Sequence, residues 1–324
     1  MRLAALLAVL ALNVLPCGEA CAQAYPAKPV RMVVPYPPGG AVDFVGRVVS
    51  QRLSETLKQP FVVDNRSGAR GTVGADAVAK SAPDGHTLLV ASLAEAVFGS
   101  IVDHKLPYDA ERDLSPVSLL GESPLVIAAH PSVAAASLQE LIALAKRQPN
   151  RLSYGTPGNG TPMHFAAEAF VVGAGISMLH VPYRGGAAAV SDLLGGQIPL
   201  AVIGIPPVVP YAKSGRLRAL AVTGSKRSVA LPEVPAVAEL PGFAGYRFTN
   251  WMGLYAPAHT PQPVIERLAA SVAAILREPQ TREKLLAQGI DPVGNSSKEF
   301  AAFIRAERER YSRIAKEKNI RGDV

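Results

Sequence analysis

Residues 30–43, with the sequence VRMVVPYPPGGAVD, constrain the fold more than any other stretch of the chain. The apolar residues before Pro35 predict a buried strand, and the prolines and glycines after them predict a tight turn. A segment with apolar residues at helical spacing follows and predicts a helix that begins near Ala41. Because the first N–H groups of a helix have no intrahelical acceptor and lie at the positive end of its dipole, we expect this turn to bind a carboxylate or a phosphate.

The turn supplies the first candidate ligand-binding residues, which are Tyr36, Pro38, Gly39 and Gly40. Pro38 stiffens the turn, and the two glycines lack a Cβ and let a ligand approach the main chain closely. Asp43 lies in the first helical turn and has two possible roles. It is either a helix-start residue or a direct contact to an amine or hydroxyl of the ligand.

Two more loops of the same chemistry occur at residues 155–161 and 183–186, each after an apolar run and before a helical one. Short apolar strands that alternate with helices predict an α/β fold with mostly parallel sheets flanked by helices. Ligands of such sheets lie beyond the carboxyl ends of the strands. This rule adds Ser92, which follows the apolar run 87–91, to the candidates.

The candidates in the two downstream loops are Gly158, Asn159, Gly160, Thr161, His164, Tyr183, Arg184, Gly185 and Gly186. The loop at 155–161 has the glycine spacing of a phosphate loop but lacks its lysine, which argues against a nucleotide site. His164 either donates a hydrogen bond to an anion or serves as a capping and packing residue. Arg184 either clamps an acid with two hydrogen bonds or points to solvent.

Residues 1–24 have the composition of a secretory signal peptide, with one positive charge, an apolar run and a small-x-small cleavage pattern at 22–24. The mature chain is therefore expected to start at Tyr25 and to be exported to the periplasm. Both cysteines, Cys17 and Cys21, fall inside this leader. We expect no disulfide and no thiol chemistry in the exported protein.

The length of 324 residues, with 48% hydrophobic and 18% charged residues, predicts a globular chain of two domains. The net charge of +7 attracts anions diffusely, but the densest charged region, 305–318, interleaves glutamates with its basic residues. Without a basic cluster rich in aromatic residues, nucleic-acid binding is not expected. The sequence has neither a Gly-x-Ser-x-Gly elbow nor a His-Glu-x-x-His pair, so we expect no enzyme, metal or cofactor.

The domain organisation is indicated by two extended segments. The apolar run 114–130 is interrupted at residues 121–124, which predicts a crossing into a second domain, and residues 250–256 predict a return segment. Trp251, the single tryptophan, lies in this return segment. We interpret it as a core or hinge packing residue in preference to a residue that stacks on a ligand.

Eight short motifs, taken together in chain order, closely resemble those of the tripartite tricarboxylate transporter substrate-binding proteins, the Bordetella uptake gene or Bug family. The motifs are VVPYPPGGAVD at 33–43, DNRSGA at 64–69, APDGHTLL at 82–89, LPYD at 106–109, GNGTPMH at 158–164, HVPYRG at 180–185, DLLGGQ at 192–197 and APAHTP at 256–261. The similarity extends over the whole mature chain.

The resemblance implies a two-lobed Venus-flytrap periplasmic binding protein of type II, each lobe a mostly parallel sheet flanked by helices, which holds a small carboxylate. The implied lobes are residues 25–123 with 248–324 and residues 124–247, with hinge crossings near 121–126 and 245–252. It also implies a monomer that delivers its ligand to membrane transporter subunits. A partner of a membrane sensor kinase and a secreted enzyme acting on organic acids remain open as alternatives.

One departure from the family pattern concerns the ligand. After the motif at 192–197 the family usually has a polar pair where this chain has Ile203 and Gly204. The resemblance therefore implies an apolar or aromatic acid in preference to an amino acid, with Ile203 as a further candidate contact.

Overall fold

The computed structural model describes residues 25–102, 106–183, 185–318 and 320; the predicted signal peptide and Arg184 lie outside them. The strands are β1 (Val30–Val34), β2 (Phe61–Asn65), β3 (Thr87–Ser92), β4 (Leu114–Ala129), β5 (Ser153–Thr156), β6 (Leu179–Pro182), β7 (Leu200–Gly204), β8 (Arg218–Val222), β9 (Thr249–Pro257) and β10 (Asp291–Pro292). The helices are α1 (Ala41–Leu57), α2 (Thr72–Ala79), α3 (Gly99–Val102), α4 (Ala110–Asp113), α5 (Leu138–Arg147), α6 (Pro162–Ala174), α7 (Gly186–Leu194), α8 (Val209–Lys213), α9 (Gln262–Arg277), α10 (Pro279–Ala287) and α11 (Ser297–Lys318). Among the described residues, none of these helices combines the length and the apolar character needed to cross a membrane.

The strands pair in the order β2-β1-β3-β9-β4-β7-β5-β6, and β8 and β10 each pair with β4. Strand β1 runs parallel to β2 and β3, and β5 runs parallel to β6 and β7. Strands β9 and β4 lie between these two parallel sets and are antiparallel to their neighbours. The predicted α/β fold is confirmed, and each parallel set has a carboxyl edge at which such sheets bind ligands.

Strand β4 is continuous over Leu114–Ala129, so the predicted interruption at residues 121–124 is wrong. The strand changes its partner there instead, because Pro124 pairs with β9 whereas Leu125 pairs with β7. Gly121 lies where the pairing with β9 shifts its register, a position at which glycine is common. Pro124 forms the last pair with β9, where the missing N–H of proline costs least. The chain therefore passes from one parallel set to the other within a single strand.

Thr223 connects β4 to the segment just before β9, at the point where β4 changes its partner. The main chain of Thr223 donates to the carbonyl of Leu125 at 2.9 Å, and Leu125 N–H donates to Thr223 Oγ1 at 2.8 Å. The Thr223 hydroxyl donates to the carbonyl of Phe248, just before β9, at 2.5 Å. Since Thr223 is fully buried, water does not compete for these bonds.

The C-terminal helix α11 packs against buried aromatic residues. Phe98 stacks on Phe165 with 4.7 Å between ring centroids, and both rings meet Tyr311 of α11 edge to face. Trp251 is fully buried and donates from Nε1 to Glu307 Oε2 of α11 at 3.2 Å. The structure therefore places the single tryptophan in the core, in contact with the C-terminal helix.

Candidate functional site

The turn after β1 ends at an open helix start. Gly40 occupies the N-cap position of α1 with φ −82° and ψ 171°, and no side chain caps the helix. The preceding Gly39 has φ +94°, in the region that favours glycine. Because α1 is 17 residues long and uncapped, its first turn presents N–H groups and the positive end of a dipole.

The carboxylate of Asp43 is engaged within the turn itself. Its Oδ2 accepts from Gly39 N–H and from Arg47 Nε, each at 2.9 Å, and its Oδ1 accepts from Asn65 Nδ2 at 2.8 Å. Burial opposes ionisation of Asp43, but the hydrogen bonds from Arg47, Asn65 and Gly39 outweigh it and lower the pKa of this carboxyl group. These contacts are those of a helix-start residue that braces the turn, and direct contact of Asp43 with a ligand stays a prediction.

Behind the turn lies a carboxyl group that the sequence analysis did not select. The Tyr36 hydroxyl lies 3.2 Å from Ser92 Oγ, and Ser92 donates from its N–H and its hydroxyl to Glu95 Oε2 at 2.7 and 2.8 Å. Glu95 is buried in a π-helical turn, Ala94–Phe98, which follows β3. Its position three residues after Ser92 was the only signal in the sequence, since its burial depends on distant parts of the chain.

The loop before α6 satisfies its own helix start. Thr161 Oγ1 accepts from His164 N–H at 3.3 Å and donates to the carbonyl of Gly158 at 2.8 Å. His164 Nδ1 accepts from the N–H of Gly160 at 3.2 Å. Pro162 at the first helical position has no N–H. This helix start therefore offers fewer donors to an anion than the start of α1.

Two histidines stack on each other at this loop. The imidazole rings of His164 and His180 stack with 3.8 Å between centroids and 15° between planes. His180 Nε2 lies 2.7 Å from the hydroxyl of Thr156, the last residue of β5. His180 and Thr156 were not predicted as site residues, although His180 lies in one of the motifs that carried the resemblance. Their contacts fix the loop that also contains Asn159.

The third loop leads into a second open helix start. Gly185, with φ +107°, is the N-cap residue of α7, and no side chain caps the helix that begins at Gly186. The Tyr183 hydroxyl donates to Asp192 Oδ2 at 2.8 Å, and burial together with this carboxylate raises the pKa of Tyr183 to about 12. Tyr183 thus ties the loop to α7. The role predicted for Arg184 falls outside the described residues.

Ile203 lies in β7 and is 1% exposed, within an apolar cluster that includes Val126 and Val208. The next residue, Gly204, is partly exposed, and a Cβ there would meet only the ring of Pro206 at 3.9 Å. The predicted contact between Ile203 and a ligand stays a prediction. Space for an apolar ligand group is present at Gly204.

Taken together, the site contains two uncapped, glycine-flanked helix starts, at α1 and α7, each beyond the carboxyl end of a parallel strand. Backbone donors of this kind bind carboxylates without a metal or a nucleophile. Within the described residues, no group of three or more His, Cys, Asp or Glu side chains is arranged to hold a metal ion.

Comparison with known proteins identifies the family of the chain. A family model described as the tripartite tricarboxylate transporter family receptor matches residues 45–320. The chain is 37% identical to Protein BugT of Bordetella pertussis over 321 aligned residues, and this alignment covers 98% of each chain. Predicted membership of this family is confirmed.

Solved structures of similar proteins agree with the fold. The Rhodopseudomonas palustris protein Rpa4515, solved with adipate, has a TM-score of 0.79 and 33% identity and covers 92% of this chain and 100% of its own. The periplasmic binding protein BugD has a TM-score of 0.74 and 29% identity and covers 92% and 100%. The predicted periplasmic-binding-protein fold is therefore confirmed.

Proposed function

Because the chain belongs to the tripartite tricarboxylate transporter receptor family, we propose that it captures a small organic carboxylate between two lobes and delivers it to the membrane subunits of such a transporter. One observation carries this proposal: α1 and α7 both begin without a side-chain cap, behind a glycine and after a parallel strand. Each start suits one carboxylate group, so a dicarboxylate with one group at each helix fits the arrangement.

Main-chain groups are the proposed primary contacts, at Gly40 and the first turn of α1 and at Gly186 and the first turn of α7. Tyr36 and Ser92 line the first part of the site in this proposal, and the self-capped loop before α6 forms its opposite wall. Side chains that are already paired, such as those of Asp43 and Tyr183, hold the loops in shape. The other predicted contacts stay predictions.

The two lobes are proposed to be residues 25–123 with 248–324 and residues 124–247. The change of partner in β4 between Pro124 and Leu125 supports a hinge at that point, where Thr223 is bonded to Leu125 of β4 and to Phe248 just before β9. Closure about this hinge would bring the starts of α1 and α7 to opposite ends of one ligand.

For the ligand we propose an acid with an apolar or aromatic body. The space at Gly204 and the apolar surroundings of Ile203 support such a body, because the side chains that these residues contact are apolar. Adipate in the structure of Rpa4515 is a dicarboxylate with an apolar chain, which agrees with this class.

We also propose that residues 1–24 are removed on export, that the protein acts in the periplasm as a monomer and that it releases its ligand unchanged. Release without turnover follows from a site made of backbone donors, which stabilise an anion without activating it. Chemical analysis of an acid incubated with purified protein tests this point. A change in the acid would favour an enzyme.

A thermal-shift screen of purified mature protein against aliphatic, aromatic, hydroxy- and amino-carboxylates tests the binding proposal. Because a ligand selective for the native state raises the melting temperature, the binders stand out and calorimetry then ranks them. We expect apolar dicarboxylates such as adipate to bind more tightly than amino acids. If no carboxylate binds while other solutes do, the proposal is wrong.

A further inference from the structure

A buried carboxyl group connects to the proposed ligand site through a short hydrogen-bond chain. Glu95 is 2% exposed, and its Oε2 accepts from both the N–H and the hydroxyl of Ser92. Ser92 Oγ lies 3.2 Å from the hydroxyl of Tyr36, in the turn before α1.

The second oxygen of this group, Glu95 Oε1, is buried and has no hydrogen-bond partner among the described residues. It fills the space beside Gly71, where a Cβ atom would overlap it. Tyr36 follows β1, Gly71 follows β2 and Glu95 follows β3. The carboxyl ends of three parallel strands therefore converge on this acid, at the edge where α/β sheets bind ligands.

The titratable groups around Glu95 are mostly phenols. The Tyr108 hydroxyl donates to the carbonyl of Glu95 at 3.0 Å, and the hydroxyl of Tyr255 is buried nearby on β9. Arg308 of α11 forms an ion pair with Glu111 at 2.6 Å. Burial is the main influence on Glu95 and raises its pKa above the ordinary value of a glutamate.

The protonation state of Glu95 fixes the direction of the chain. When the carboxyl group is ionised, the Ser92 hydroxyl must donate to it, and the Tyr36 hydroxyl, which hydrogen-bonds to the Glu95 carboxyl group directly as well as to Ser92 Oγ, directs its hydrogen towards this pair. When one proton from solvent adds to Oε2, Glu95 donates to Ser92 Oγ, and the Ser92 hydroxyl turns to donate to Tyr36. The hydrogen of the Tyr36 hydroxyl is then available to an acceptor in the cleft.

We propose that Glu95 is a positioning residue of the ligand site, and that binding of a carboxylate is coupled to the uptake of one proton by this side chain. A carboxylate accepts hydrogen bonds and repels a second negative charge, so it favours the chain in which Glu95 is neutral and Tyr36 donates outward. The inference rests on the proposed function, since it requires a carboxylate near Tyr36.

The sign of the coupling follows from linkage. If binding favours the protonated form, the pKa of Glu95 is higher in the complex than in the free protein. Affinity is then full at a pH below the free-state pKa. The affinity falls by up to about tenfold for each pH unit as the pH rises from the pKa of Glu95 in the free protein to its pKa in the complex.

The test measures binding of adipate, or of the tightest binder in the carboxylate screen if adipate does not bind. Calorimetry at each pH from about 5 to about 8, in two buffers with different ionisation enthalpies, gives the number of protons taken up. The variants are Glu95→Gln, which resembles the protonated acid, Ser92→Ala, which breaks the chain, and Glu309→Gln, an exposed control on α11. Carbon-13 spectra of the Glu95 carboxyl group in the free protein show directly whether it titrates.

We expect wild type and Glu309→Gln to take up close to one proton within this range. Glu95→Gln should take up less, and its affinity should stay constant within about twofold where that of wild type falls. Ser92→Ala should retain the titration of Glu95 but take up fewer protons than wild type, because only the direct contact between Tyr36 and Glu95 then remains. The inference is overturned if acids bind without proton uptake, if Glu95→Gln takes up as many protons as wild type, or if Glu95 is ionised throughout. If no acid binds at all, the proposed function fails first and the coupling fails with it.

Discussion

The two glycines of the turn before α1 should respond differently to the same substitution. Gly39 has φ +94°, whereas Gly40 has φ −82°, which any residue adopts, and a Cβ on either glycine meets no atom within 4 Å. Gly39→Ala therefore strains the backbone without a steric clash. A left-handed conformation costs an L residue about 1–2 kcal/mol, which we expect to lose from the free energy of unfolding.

Gly40→Ala should change stability by less than about 1 kcal/mol, because the restriction of the unfolded chain by alanine offsets the preference of an N-cap position for glycine over alanine. Its methyl group, however, projects into the open space at the start of α1. If a carboxylate binds there, the loss of one charge-assisted hydrogen bond costs about 1.5–3 kcal/mol, or roughly ten- to hundredfold in affinity.

Urea denaturation and calorimetry of the two variants separate these effects. Gly39→Ala should lose stability, and Gly40→Ala should lose affinity while it keeps the stability of wild type. Unchanged binding by Gly40→Ala would refute the placement of the carboxylate at the start of α1. Unchanged stability of Gly39→Ala would refute the argument from its backbone conformation.

Three further substitutions and one control variant test the hinge and the loops. Thr223→Val should lower the free energy of unfolding by about 1–3 kcal/mol in urea denaturation, because it leaves buried hydrogen-bond partners unpaired. The control Thr249→Val, at a buried hydroxyl without a partner in the described residues, should leave stability unchanged. Equal losses of stability in the two variants would contradict this. Asp43→Asn should destabilise the protein at neutral pH, and the difference in stability from wild type should shrink below about pH 4. The reason is that the lowered pKa of Asp43 in the folded state stabilises the protein only while the carboxyl group is ionised, and this stabilisation is lost as the pH falls through that pKa. A difference that is constant with pH in thermal melts would contradict this. Tyr183→Phe removes the bond to Asp192 and should cost about 0.5–1.5 kcal/mol of stability with little change in affinity; abolished binding in calorimetry would show a direct ligand contact.

Local patterns in the sequence predicted the elements that depend on neighbouring residues. The strand, turn and helix around residues 30–57 were predicted because apolar spacing and Pro/Gly punctuation are local signals. The helix predicted to begin near Ala41 does begin there, as α1 (Ala41–Leu57).

Features that depend on distant contacts were not predictable in this way. Gly121 and Pro124 suggested a break in β4, but the strand persists because its partners on both sides supply the pairing. The burial of Glu95 arises from Gly71 and from segments far along the chain, so its sequence neighbourhood gave little sign of it. Likewise, the pairing of Tyr183 with Asp192 is a property of the folded loop and the helix after it.

Backbone donors at the starts of α1 and α7 are proposed to hold the two ends of a carboxylate ligand. A crystal structure of the protein with the tightest-binding acid would show these contacts. We expect carboxylate oxygens about 2.7–3.2 Å from first-turn N–H groups of both helices, with the lobes closed around the acid. An acid held only by side chains, or bound away from these two helix starts, would contradict it.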